Sequence, residues 1–261
     1  MLPLPPGTIL QLMYLKERIS KLKPGSFIEV GPGSGEVSNV LLKKGWRGCA
    51  YDLETETILR LQERFKLEIN KGSYQASTKD FFDLNPNHIE GVDLIISSMV
   101  IEHLPDELES RFMEKSSLLL NKSGRMIALV PSSPNHWGIE DEIAGHFRRY
   151  DIDRLKSLME TVNYEVIHTK GLMFPISNIL LPISNYLVRK SESVKIGLSN
   201  LEKTKRSGIR DVSFKTKFPA FFGIFLNEIF LLPFYWFQKI PFFASKSLVL
   251  FIEVKPNLEK Y

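Results

Sequence analysis

Apolar residues along this chain follow two rhythms in turn. Short, mostly apolar runs such as Phe27–Val30, around one acid, and Val92–Ser97 (VDLIIS) read as buried strands, while apolar residues three and four apart read as helices. A helix is predicted from Thr8 to about Lys21, with Leu12, Leu15 and Ile19 on one face. After Phe27–Val30 come a glycine-rich turn and a helix carrying Val37, Val40 and Leu41, closed by Gly45. Gly48–Leu53 reads as a second strand, and Glu54 to about Lys71 as a helix with Ile58, Leu61 and Phe65 in step. Tyr74–Thr78 is a weaker third strand and Val92–Ser97 the fourth. A helix over Asp106–Leu120 leads to a fifth strand, Arg125–Val130, stopped by Pro131. Asp151 caps a helix running to about Val162, Tyr164–His168 is the sixth strand, and Ser247–Val254 the last. Strands alternating with helices predict an α/β fold, a doubly wound Rossmann-like sheet of seven strands. In such a sheet ligands bind beyond the carboxyl ends of the strands.

Residues 26–36, SFIEVGPGSGE, place Gly31, Gly33 and Gly35 at every second position behind the carboxylate of Glu29. A backbone that turns sharply and admits a ligand closely needs residues without a Cβ. Such a turn serves phosphates, dinucleotides and adenosyl groups alike. Asp52 narrows the choice, because it ends the second strand, where a carboxylate can accept hydrogen bonds from a ribose diol. The competing role for Asp52 is to cap the helix that begins near Glu54. A nicotinamide oxidoreductase is the rival class. GPGSGE brings its third glycine one residue too early for G-x-G-x-x-G.

FIEVGPGSGE, YDLE, KDFFDL, VDLIISSMVIEHLPD, GRMIALVPS and GHFRRYD stand in this order along the chain. The ordered set resembles the class I S-adenosylmethionine-dependent methyltransferases, within the broad group of ubiquinone-pathway and related small-molecule enzymes. It covers roughly residues 8–170 and the final strand, which the resemblance implies is antiparallel. It also implies roles. Glu29, Gly31, Gly33 and Gly35 would form the loop against the methionine portion of S-adenosylmethionine. Asp52 would hold the ribose, with Leu53 beside the adenine. Asp80 would take the adenine amino group, Phe81 would lie against the ring face, and the Ser97 carbonyl would receive the cofactor's ammonium.

A methyl on a sulfonium is already electrophilic, so the enzyme's task is mainly to align a nucleophile. A hydroxyl nucleophile must also lose its proton, which suits a histidine. His146, in EDEIAGHFRRYD after the fifth strand, is the favoured base, and His103, in IEHLPD after the fourth, is the second candidate. Either could instead brace its own loop. Met99, His136, Arg148, Arg149 and Tyr150 are the candidates for acceptor binding. Adjacent arginines suit a carboxylate or phosphate, unless Glu140, Asp141 and Glu142 neutralise them. Some relatives hold a metal through Glu-x-x-Glu-His. This chain has Met99 in place of the first carboxylate, so no metal is expected.

Composition adds three points. The net charge of +4 is too small to imply nucleic acid. One cysteine, Cys49, rules out an internal disulfide and fits a reducing compartment. The first residues lack a basic n-region, so no signal peptide and a cytoplasmic location are expected, with the cytoplasmic face of a membrane as its variant.

The division that follows is a methyltransferase domain of residues 1–170 and 247–261, interrupted by an insert of residues 171–246. Residues 172–188 and 218–237 of the insert are nearly free of charge. Between them, residues 189–217 hold nine Lys/Arg against three Asp/Glu. Three forms suit this pattern: a helical cap packed on the domain or in a homodimer, insertion into one leaflet as a peripheral membrane contact, or a membrane hairpin. All point to a bulky apolar or lipid-linked acceptor, methylated most readily at oxygen. Transfer to carbon or nitrogen, and a non-catalytic cofactor-binding adaptor at a membrane, are the alternatives.

Overall fold

The computed structural model describes residues 3–192, 218–240 and 245–257. The basic stretch beyond residue 192 lies outside them. Seven strands form one sheet: β1 (Ser26–Val30), β2 (Arg47–Tyr51), β3 (Tyr74–Ser77), β4 (Val92–Ser98), β5 (Leu120–Pro131), β6 (Tyr164–Leu172) and β7 (Val249–Pro256). Their order is β3-β2-β1-β4-β5-β7-β6, with the last strand antiparallel, as the resemblance implied. β1 lies in parallel register between β2 and β4, with Glu29 opposite both Ala50 and Ile96, and Val30 opposite both Tyr51 and Ser97. The strand order therefore reverses beside β1, the kind of switch point at which ligands bind in open α/β sheets.

The helices are α1 (Pro6–Ile19), α2 (Glu36–Lys43), α3 (Thr55–Arg64), α4 (Lys66–Asn70), α5 (Asp106–Leu119), α6 (Ile139–Ala144), α7 (Ile152–Thr161), α8 (Ile176–Glu192) and α9 (Leu232–Gln238). The single helix predicted over residues 54–71 is two. Phe65 leaves helical geometry (φ −110°, ψ 27°) so that its buried ring can meet Tyr74 edge-on, 5.0 Å between centroids. The fifth strand begins five residues before its predicted start. Its register shifts against β4 between Val92 and Leu94, and the extra residues turn Asn121 back so that its side-chain amide donates to Asp93, 2.6 Å away.

The chain groups into two compact units. One comprises Leu22–Val130, Ile152–Thr169 and Phe251–Tyr261; the other comprises Met1–Lys21, Pro131–Asp151 and Lys170–Leu250. The first holds most of the sheet and the glycine turn. In the second, α8 and α9 both pack on α1. That explains why α1 buries Ile9, Leu10, Met13 and Tyr14 as well as the predicted Leu12, Leu15 and Ile19. Glu17 of α1 accepts hydrogen bonds from the Tyr235 hydroxyl and from Lys239, 2.6 Å away, and Lys16 pairs with Glu228.

Candidate active site

In the sheet-bearing unit, three left-handed glycines build the turn: Gly31 (φ 67°), Gly33 (φ 50°) and Gly35 (φ 81°). Two of them are also required by packing. A Cβ on Gly31 would strike the Val100 side chain, and one on Gly35 would lie 2.6 Å from Leu61 and 2.7 Å from Phe65. Gly35→Ala is therefore expected to lower stability by about 1–3 kcal/mol, read as a drop in the urea midpoint. Gly33 differs, since a Cβ there would meet nothing within 4 Å. No protein atom asks for the missing side chain. The left-handed backbone at Gly33, rather than crowding, is what favours a glycine there.

Asp52 faces this turn. Its carboxylate accepts from the Glu54 N–H at 2.9 Å, one residue before α3, and the nearby Gly33 N–H favours its charged form. Burial pushes its carboxyl above the ordinary value, so the ionised form is poorly solvated by the protein alone. Leu53 beside it is 52% exposed, an apolar side chain held in solvent next to the acid.

Glu29 lies under the turn rather than along it. It is buried, accepts from the Ser38 hydroxyl of α2, and through Ser38 reaches the Tyr74 hydroxyl, 2.9 Å away. Burial pushes its pKa up from 4.5 to about 7. A carboxyl raised in the folded state binds more protons there than in the unfolded chain. Stability is thus expected to fall as pH rises from about 4.5 to about 7 and to level off above. Melting temperatures across that range should show the slope, and Glu29→Gln should flatten it.

Ser97, one residue before the end of β4, is fully buried, and its hydroxyl has no hydrogen-bond partner among the described residues. Met99 follows in a left-handed turn (φ 57°), its N–H donating to Leu129. His103 sits in the short 3₁₀ turn Ile101–His103, its N–H bonded to the Val100 carbonyl at 3.0 Å. Asp80 caps another 3₁₀ turn through the Phe82 N–H at 2.8 Å. Phe81 is buried against Phe112, 4.9 Å between centroids.

The other unit holds the remaining candidates. Asp141 is fully buried in α6, and its carboxylate is met by three groups. The Gly138 N–H reaches Oδ2 at 2.9 Å, His146 Nδ1 lies 2.8 Å from Oδ1, and Arg149 Nε spans both oxygens at 2.9 Å. Arg149 also donates to the Ser132 carbonyl at 3.1 Å. Its guanidinium is thus engaged by one of the nearby acids weighed as a neutralising partner. Burial raises the Asp141 carboxyl, but the His146 hydrogen bond and the Arg149 charge overcome this and hold it below the ordinary value. Arg148 lies over the Phe147 ring at 5.8 Å. Tyr150 is fully buried, and its backbone bridges to Ser132. His136 keeps a buried Nδ1 with no partner among the described residues, and burial, then the Arg149 charge, pushes its pKa down.

Sequence reading named Asp141 only as a neighbouring acid, although Gly138-x-x-Asp141 at a helix start was available as a signal. It missed Arg64, which donates to the Ser34 carbonyl and to Glu36 at 2.7 Å and so ties the turn to α3.

A family model described as a methyltransferase domain matches residues 10–169, more than half of the chain. The chain belongs to the class I S-adenosylmethionine-dependent methyltransferases. An uncharacterized methyltransferase of Bacillus cytotoxicus is 34% identical to this methyltransferase over 105 residues, 40% of this chain and 45% of the relative. The chain thus spans less than half the length of the curated relatives it matches. Among solved structures, the magnesium protoporphyrin IX methyltransferase of Synechocystis PCC 6803, with bound SAH, is similar at TM-score 0.53. The match covers 64% of this chain and 77% of that one at 16% identity. The 1,6-didemethyltoxoflavin-N1-methyltransferase of Burkholderia thailandensis gives 0.52 over 65% and 73%, at 15% identity. At such identities the likeness is one of fold.

Proposed function

We propose that this methyltransferase binds S-adenosylmethionine at the Gly31–Gly35 turn and methylates a hydrophobic or lipid-linked small molecule, at oxygen. The observation that carries the reading is Gly33: a left-handed residue beside Asp52, whose missing Cβ leaves room that no protein atom fills. When bound, the cofactor supplies a sulfonium methyl as electrophile. Asp52 would accept from the ribose hydroxyls, Leu53, Asp80 and Phe81 would frame the adenine, and the Ser97 carbonyl would receive the ammonium. Glu29 would support the turn from beneath through Ser38.

His146 is proposed as the general base. His146 Nδ1 lies 2.8 Å from the Asp141 carboxylate, which would orient the ring and favour a proton on Nδ1, so that Nε2 would take the proton of an acceptor hydroxyl. Arg149 would be a positioning residue, holding Asp141 ionised. His103, Met99, His136, Arg148 and Tyr150 are proposed to shape the acceptor side. The test is incubation of a lipid extract with the chain and deuterated-methyl S-adenosylmethionine, followed by mass spectrometry. A labelled methyl ether or ester on an apolar product supports the proposal. A label on carbon or nitrogen overturns the oxygen assignment. Cofactor binding with no labelled product in any fraction favours an adaptor.

A further inference from the structure

We infer that α8 and residues 218–240 form a docking face for an anionic lipid bilayer surface. In ordinary surface helices the side turned from the core is polar. Here it is not. α9 and the residue before it turn Leu231, Tyr235 and Gln238 inward, all buried. That leaves Leu232, Trp236 and Phe237 outward at 44%, 61% and 39% exposure. Upstream, Phe221, Ile224 and Ile229 are 66%, 72% and 86% exposed. On α8, Ile179, Ile183 and Tyr186 recur at helical spacing and are more than half exposed. Exposed apolar residues recurring on two elements that both pack on α1 point to an interaction surface.

The occupant follows from charge and side-chain type. Residues 218–240 contain two charged side chains, Glu228 and Lys239, and each pairs with α1. The exposed Arg189 and Lys190 close α8, and the sequence between the two apolar segments is strongly basic. Lys239 Nζ lies 4.7 Å from the Trp236 ring, a pairing of cation and indole suited to the headgroup level. A two-fold dimer would bring Arg189 and Lys190 toward their own copies, whereas anionic headgroups complement them. No helix among the described residues is long and apolar enough to cross a membrane. The face therefore lies on the bilayer.

The inference stands apart from methyl transfer, because docking can be measured without cofactor or acceptor. The full chain is mixed with vesicles of phosphatidylcholine, alone or with an equal part of phosphatidylglycerol, and floated. Binding to the anionic vesicles is expected, weaker to the neutral ones and weaker at high salt. The combined variant Ile224→Ser, Ile229→Ser, Trp236→Ser should bind at least about tenfold less, with unchanged circular dichroism and melting. Brominated lipid should quench the wild-type fluorescence, and Trp236→Phe should remove that quenching. Absence of wild-type flotation, equal flotation of the triple variant, or a wild-type dimer that the variant dissolves while vesicles capture neither, would overturn the inference.

Discussion

Asp52→Ala is expected to weaken S-adenosylmethionine binding by about 10–100-fold, the worth of a charge-assisted hydrogen bond of about 1.5–3 kcal/mol. The carboxylate is half-buried, and burial raises its pKa, so the protein alone does not favour the ionised form. Two ribose hydroxyls would supply that missing solvation. Asp52→Asn, which keeps an oxygen for the Glu54 N–H, should fall between alanine and wild type. Gly33→Val is the companion variant, placing a branched side chain in the open space beside the acid. It should abolish detectable binding while costing only the left-handed strain of about 1–2 kcal/mol. Titration calorimetry reads both. Unchanged affinity in Asp52→Ala would contradict the ribose assignment.

Asp141→Ala is expected to be the most destabilising single change, by about 3–5 kcal/mol, because it leaves the Arg149 guanidinium buried without its carboxylate. Against a domain of this size that is a fall of about 10 °C in melting temperature. The sign with pH is fixed by the depressed carboxyl. Asp141 contributes stability above its unfolded pKa, 3.8, and that contribution is lost as pH falls through the lower folded value. Asp141→Ala should therefore flatten the acid limb of the stability curve. Removing both charges in Asp141→Leu, Arg149→Met should recover most of the loss, since an apolar pair of similar volume leaves no charge unpaired. If the double variant is no more stable than Asp141→Ala, the ion pair is not the cause.

What could be read from the chain was what its physics keeps local. The glycines at 31, 33 and 35, the apolar run of β4 and the acid ending β2 each sit within a few residues of the element they define. The break at Phe65 could not be read, because it answers to Tyr74 on another strand. Nor could the early start of β5, which depends on Asn121 reaching Asp93. Around the candidate base, the histidine was visible as a residue type in a suitable loop. Its orientation was not, because it depends on Asp141 five positions back, on the opening of α6 and on Arg149. The unit boundaries were hidden for a related reason: α1 finds its partners in α8 and α9, which follow it by well over a hundred residues.

The clasp of Glu17 with Tyr235 and Lys239 bears on when the outward aromatic residues can be shown or withdrawn. Burial raises the Glu17 carboxyl, but the Lys239 and Tyr235 hydrogen bonds outweigh it and bring its pKa down to about 2. Acidification within any range a cell reaches leaves that anion intact. The segment is therefore moored like a fixed hull fitting rather than a latch, and no proton signal acting on Glu17 can cast it loose.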